Sequence, residues 1–168
     1  STIDNNSLDY SIKWSSGLKA RLKQRKTLTF KEELLVPAIY RPFVKTTYYS
    51  EKALSDRLTS NHYEIFGSDL TKDNKVILFV EGKRLDFSCL SVNLPSAYAI
   101  FSLDPEQCLP LYRYDNNGNR IDNITDWALA QFRQQYAQSP ISNPQSPIPN
   151  PQSPISKGDI FHYVYAVL

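Results

Sequence analysis

The sequence predicts an α+β fold: a small, central, mainly antiparallel sheet flanked by helices, with a Pro-rich disordered insert. Three observations carry this reading. The run Val-Ile-Leu-Phe-Val at 76–80 follows an Asp-Asn turn signal and is the clearest buried strand of the chain. Apolar residues recur at helical spacing near both ends, as Trp14, Leu18 and Leu22 and again as Leu129, Phe132 and Tyr136. Between 139 and 156 the segment SPISNPQSPIPNPQSPIS repeats every seven residues and holds six of the eleven prolines, too few donors and too little apolar surface to offset the entropy of being fixed.

In chain order, residues 15–26 are expected to form a short helix capped by Ser15 or Ser16, with an apolar stripe on one face and cations on the other. TLTFKEELL, at 27–35, reads as a strand running into a helical turn. Pro37 and Pro42 hold AIYRPF extended or turning, and the β-branched, aromatic run 46–49 reads as a strand. Further strands are expected at 87–92, 97–101 and 109–114, followed by a turn at Asp115–Asn119 and a helix over 123–136 behind a Thr125 cap. At the end, Ser156 and Asp159 have capping-box spacing ahead of a helix that is apolar almost all round. The organisation is therefore a domain over 1–138, a linker over 139–158 and the start of a helical continuation over 159–168.

A length of 168 residues with 41% hydrophobic and 21% charged residues suits one compact core. No Met occurs, so the chain is expected to be a piece of a longer polypeptide. Cys89 and Cys108 are too few for a disulfide framework and lack metal-site spacing, which points to free thiols in a reducing compartment. The first residues do not read as a signal peptide and no apolar run approaches a membrane span, so a soluble, cytoplasmic protein without membrane contact is expected.

Charge is segregated. Residues 1–49 hold nine Lys/Arg against four Asp/Glu, a net +5, which leaves −3 for the remainder of a chain whose total is +2. Seven cations and no acid lie between 10 and 31, so a polyanion is the natural partner of that stretch. Lys13, Lys19, Arg21, Lys23, Arg25 and Lys26 are candidates to neutralise phosphates, with a solvated helix face as the alternative. Arg41 and Lys45, beside Tyr48 and Tyr49, are candidates for a guanine edge or a phosphate, the alternative being that Tyr40, Phe43 and Tyr48 are core and Arg41 pairs with a carboxylate. Glu81-Gly82-Lys83 after the strong strand, with Asp69 and Asp73 upstream, has the look of a Mg²⁺-dependent E-x-K nuclease, but so short a motif arises readily by chance. His62, His162 and the two cysteines lack ligand spacing, and no phosphate-cradling glycine loop occurs.

The segment WSSGLKARLKQRKTLTFKEELLVPAIYRPFVKTTYY resembles the stretch that follows the methyltransferase core in Type ISP restriction-modification enzymes. Residues 74–80, QCLPLYRYD, NITDWALAQFRQQY and DIFHYVYAVL resemble later segments of the same family in the same order, so the likeness spans nearly all of the chain except 139–156. These enzymes combine nuclease, translocase, adenine methyltransferase and target recognition in one polypeptide. The resemblance places the chain between the methyltransferase core and the C-terminal specificity region. It implies double-stranded DNA, and those two regions of the parent, as partners. An Asn-Pro-Pro-Tyr methyltransferase motif is missing, as are helicase and nuclease motifs, so the expected role is a non-catalytic DNA-contacting specificity fragment. Its expected site is Lys13, Lys19, Arg21, Lys23, Arg25, Lys26, Arg41, Lys45, Tyr48 and Tyr49, with no metal or cofactor of its own. S-adenosylmethionine, ATP and Mg²⁺ are implied for the parent alone. The rival is a structural connector that packs on the methyltransferase core without touching DNA.

Overall fold

The computed structural model describes residues 14–25, 27–55, 58–81, 86–97, 99–101, 106–137 and 154–168. Lys13, Lys26, Lys83 and the Pro-rich repeat up to residue 153 lie outside them. The described elements are α1 (Ser16–Lys23), a single 3-10 turn (Glu32–Leu34), β1 (Leu35–Arg41), β2 (Val44–Tyr49), α2 (Ser60–Phe66), β3 (Val76–Val80), β4 (Ser88–Val92), β5 (Gln107–Pro110), β6 (Tyr112–Tyr114), β7 (Arg120–Asp122), α3 (Asp126–Ala137) and α4 (Lys157–Val167). The fold is α+β as expected, with the β-structure divided into three small antiparallel sheets: β1-β2, β4-β3-β5 and β6-β7.

β3 explains why its sequence is continuously apolar. Val76 and Leu78 join one core cluster with Ile39, Ile65, Phe66, Leu70 and Ile100, whereas Ile77 joins a second cluster with Leu111 and Phe161. A strand covered on both faces has no need of alternating polarity. The hairpin and α2 contribute to the first cluster and α4 to the second, so the central sheet lies between two apolar layers.

Several expected elements take a different form. Residues 27–31 form no strand, and regular pairing begins only at Leu35, after the 3-10 turn. Among the described residues, 97 and 99–101 form no strand, and a parallel bridge joins Ile39 to Ser96. The expected strand at 109–114 is broken at Leu111 into β5 and β6, which belong to different sheets. The apolar stripe of α1 is not a core stripe, because no residue of that helix is buried and Leu22 is 45% exposed. α2 and β7 were not foreseen. Ser156 and Asp159 do form the reciprocal capping box of α4, which begins at Lys157, two residues before the expected boundary at 159.

Asn74 ties the sheets together. It is 1% exposed, and its side chain makes four hydrogen bonds: Nδ2 donates to the carbonyls of Ile65 (2.7 Å) and Tyr112 (2.8 Å), while Oδ1 accepts from Lys75 N (2.8 Å) and Tyr112 N (3.1 Å). α2, β3 and β6 thereby share one buried junction with every polar group of the amide satisfied. α4 is fixed at its start by Lys157, whose Nζ lies 2.9 Å from Asp122 and 2.6 Å from Asp126. Along its length, Tyr163 packs edge-on against Phe132 and Tyr136 of α3.

Candidate nucleic-acid interface

α1 starts where Ser15 Oγ accepts from Leu18 N (3.2 Å) and ends where Arg25 takes a left-handed φ of 50°. Its first turn holds no acid and its last turn carries Arg21 and Lys23, which suits the negative end of the helix dipole. Lys23 and Arg25 are exposed; Lys19 and Arg21 are partly covered. The chain is then secured by Tyr49, whose hydroxyl accepts from Lys31 N (3.1 Å) and whose ring stacks on Phe30 at 5.4 Å and 21°.

The β1-β2 hairpin follows directly. Its register pairs Leu35 with Tyr49 and Arg41 with Val44, so Pro42 and Phe43 alone form the turn. Proline presets φ for the first of these positions, and the second takes a left-handed φ of 64°. Glycine or asparagine ordinarily fills such a position. An aromatic residue there costs about 1–2 kcal/mol of backbone strain. Phe43 nonetheless occupies it and is 87% exposed, and Tyr40 is 52% exposed. Tyr40 and Phe43 are therefore not core residues, while Tyr48 does pack on the core and its hydroxyl bonds Ser55 Oγ.

Three hydrogen bonds hold the turn-proximal end of β1 to the segment after β4. Ile39 N donates to Pro95 O (2.8 Å), Ala97 N donates to Ile39 O (2.7 Å), and Arg41 Nη1 donates to Ala99 O (2.8 Å). Arg41 also donates to Tyr40 O (3.3 Å) and lies 4.6 Å above the Tyr40 ring. It meets a carbonyl rather than a carboxylate directly, although its charge lowers the pKa of Glu106. Burial outweighs this and pushes the Glu106 carboxyl up overall, against the lowering effect of hydrogen bonds from Phe101 N and Ile100 N.

The expected site residues thus fall into two groups. Arg41, Tyr48 and Tyr49 are engaged within the molecule, and Lys23, Arg25 and Lys45 are presented to solvent. Thr46 and Thr47 are exposed beside Lys45 on β2, and they, like Phe43, were missed as candidates. The signal was available: Pro42 followed by one residue between two β-prone runs is a turn, and turns present their side chains. Among the described residues no cluster of His, Cys, Asp and Glu is arranged to hold a metal. Glu81 is exposed at the end of β3, and Asp69 is spent on an Asx contact, accepting from Thr71 N at 3.2 Å.

Two concavities flank the hairpin. The larger, of about 450 Å³, lies between β1-β2 and α2 over core residues such as Ile65, Phe66 and Leu78. The smaller, of about 250 Å³, opens between the hairpin tip and β4 and is bordered by Phe43, Lys45, Ser91 and Asn93. The first is walled mainly by the apolar core; the second combines an exposed ring, a cation and polar side chains. No helix of the described residues is long and apolar enough to cross a membrane.

No curated protein matches the chain. Among solved structures, a DrdV-DNA complex, determined by cryo-electron microscopy, is 32% identical with a TM-score of 0.74, over 96% of this chain and 14% of that one. The ATP-dependent Type ISP restriction-modification enzyme LlaBIII, bound to DNA, is 27% identical with a TM-score of 0.67, over 93% of this chain and 9% of that one. A nuclease-deletion mutant of the Type ISP enzyme LlaGI, in complex with a DNA substrate mimic, is 27% identical with a TM-score of 0.59, over 73% of this chain and 11% of that one. The chain thus spans less than a sixth of the length of each of these enzymes. The model of the Type ISP C-terminal specificity domain matches residues 3–168, so the resemblance that placed the chain ahead of that region is sharpened: the chain belongs to the Type ISP C-terminal specificity domain family.

Proposed function

We propose that this chain grips duplex DNA on behalf of an adenine-methylating core elsewhere in a parent polypeptide and performs no catalysis itself. Lys19, Arg21, Lys23 and Arg25, with Lys13 and Lys26 beside them, rest on phosphates and supply affinity without sequence information. Sequence is read by the β1-β2 hairpin, with Arg41 bracing it and Lys45 in the groove. The observation that carries this reading is the hairpin itself. It is a two-stranded ribbon of the kind the major groove admits, and its exposed residues Phe43, Lys45, Thr46 and Thr47 offer apolar, cationic and hydroxyl contacts. The DNA-bound state of its relatives supports the same partner. S-adenosylmethionine, ATP and Mg²⁺ belong in this reading to other regions of the parent, and the site of action is the cytoplasm.

The test is a titration against duplex DNA at rising salt. Affinity should lie in the non-specific range of roughly 10⁻⁴–10⁻⁶ M and fall steeply with salt. Changing Lys19, Arg21, Lys23 and Arg25 to Gln should weaken binding and flatten the log-log salt slope by about 3 to 4. Absent or salt-independent binding overturns the proposal.

The connector reading has one observation in its favour: Tyr163, Tyr165, Val167 and Leu168 of α4 stay exposed and offer apolar surface to another region of the parent. Under that reading the four-Gln variant keeps the DNA affinity of the original chain. The E-x-K reading requires Mg²⁺-dependent cleavage that is lost in Glu81→Ala; no cleavage is the expected result.

A further inference from the structure

We propose that the cleft between the hairpin tip and β4 holds a single nucleobase extruded from the DNA stack, with Phe43 as its stacking wall. The inference rests on the DNA reading above and adds to it a binding site and a ligand class. Three independent observations meet at this place. First, Phe43 is 87% exposed at φ 64°, so an apolar ring is displayed in a backbone conformation that works against it. Strain of this kind persists where the surroundings impose it, and it is concentrated at ligand-binding positions. Second, Phe43 borders a concavity of about 250 Å³, below the roughly 300–1,000 Å³ of sites for drug-sized ligands and suited to one flat heterocycle.

Third, the other borders of that cleft match the remaining parts of a nucleotide. Ser91 and Asn93 supply hydrogen-bonding groups for a base edge, Lys45 supplies a cation for the attached phosphate, and Ile39 and Leu90 complete an apolar floor. A side chain that merely touched a thymine methyl would need no cavity beside it. The cleft is also preorganised. Phe43 and Lys45 sit beside Ile39 and Arg41, which are bonded to Pro95, Ala97 and Ala99, only a few residues beyond Asn93 on the opposite wall. The two walls therefore move together, and little ordering entropy is lost on binding.

The experiment uses the 168-residue chain and three probes: a fully paired duplex, the same duplex with one unpaired 2-aminopurine bulge, and adenosine monophosphate. A bulged base costs little to extrude, so the chain should favour the bulged duplex by about tenfold, the scale of one base-aromatic stack. Its fluorescence should be quenched by stacking on the ring. Phe43→Ala should abolish the quenching and also the preference, read as the ratio of the variant's own affinities for the bulged and the paired duplex. Phe43→Gly should do the same and raise the melting temperature, which excludes misfolding as the cause.

Equal affinity for the two duplexes, or an undiminished preference in Phe43→Ala, overturns the cleft and leaves the DNA reading standing. Binding to neither duplex overturns both. Loss of affinity on replacing thymine by uracil, with no bulge preference, assigns Phe43 to a methyl contact and overturns the cleft. Tighter binding of adenosine monophosphate than of the bulged duplex assigns the cleft to a free nucleotide and overturns the DNA source.

Discussion

At Asn74 a polar amide is 1% exposed and makes four hydrogen bonds, whereas at Phe43 an apolar ring is 87% exposed on a left-handed backbone. Both depart from the usual partition of polar and apolar residues, in opposite directions. The buried amide is fully paired, so its placement stabilises the fold by joining α2, β3 and β6. Among the described residues the exposed ring has no such return, and its backbone is strained. The difference teaches where to look for function: a departure that satisfies its own groups is architecture, and one that leaves the fold less stable points outward.

Substitution at the two places separates these roles. Asn74→Ala should give the largest effect, a loss of about 3–4 kcal/mol in chemical denaturation, because it orphans the buried carbonyl of Ile65 and the part-buried main-chain groups of Lys75 and Tyr112. A loss below about 1 kcal/mol would mean that water replaces the amide and would break the contrast. Arg41→Ala should cost about 1 kcal/mol by deleting the charged bond to Ala99 O. It should also weaken DNA binding through a looser hairpin; unchanged binding would show that the two main-chain bonds suffice. Phe43→Gly should instead stabilise the chain by about 0.5 kcal/mol, the strain relieved exceeding the extra entropy lost by glycine. A destabilised Gly variant would reveal an internal packing role for the ring.

The smallest effect is expected at Glu106. Burial raises its carboxyl pKa, so the folded state retains the proton longer than the unfolded state does. Stability linked to this group is present below the ordinary carboxylate range and is lost as pH rises through the elevated value. Glu106→Gln should remove that part of the pH dependence, read as a flatter melting temperature from acid to neutral pH. An unchanged profile would show that the hydrogen bonds from Ile100 N and Phe101 N dominate over burial.

Elements with strong local signals were legible in the sequence. The 76–80 run, the Asp115–Asn119 turn, the Thr125 cap and the Ser156/Asp159 capping box carry their own chemistry and formed where that chemistry put them. Features that depend on distant partners were not legible. QCLPLYRY reads as one strand, yet Leu111 N is taken by Lys75 O and Leu111 O by Asn123 N, which splits it between two sheets. Residues 97–101 have strand composition, but Glu106 takes the amides of Ile100 and Phe101 and leaves them unavailable for pairing. At the site, the cations were visible as charge, whereas Ser91 and Asn93 matter only because the fold brings β4 against the hairpin tip. The core alternative for Phe43 follows general burial preference, which the turn it occupies overrides.

Two of the three bonds that seat the hairpin, between Ile39 and Pro95 and between Ala97 and Ile39, are made by main chain alone. Such bonds form whatever side chains the ribbon carries. The exposed residues from Phe43 to Thr47 are therefore free to drift under selection, or to be exchanged as a cassette by an engineer, while the ribbon keeps its seat. A hairpin seated by its backbone can exchange its exposed side chains without losing its seat.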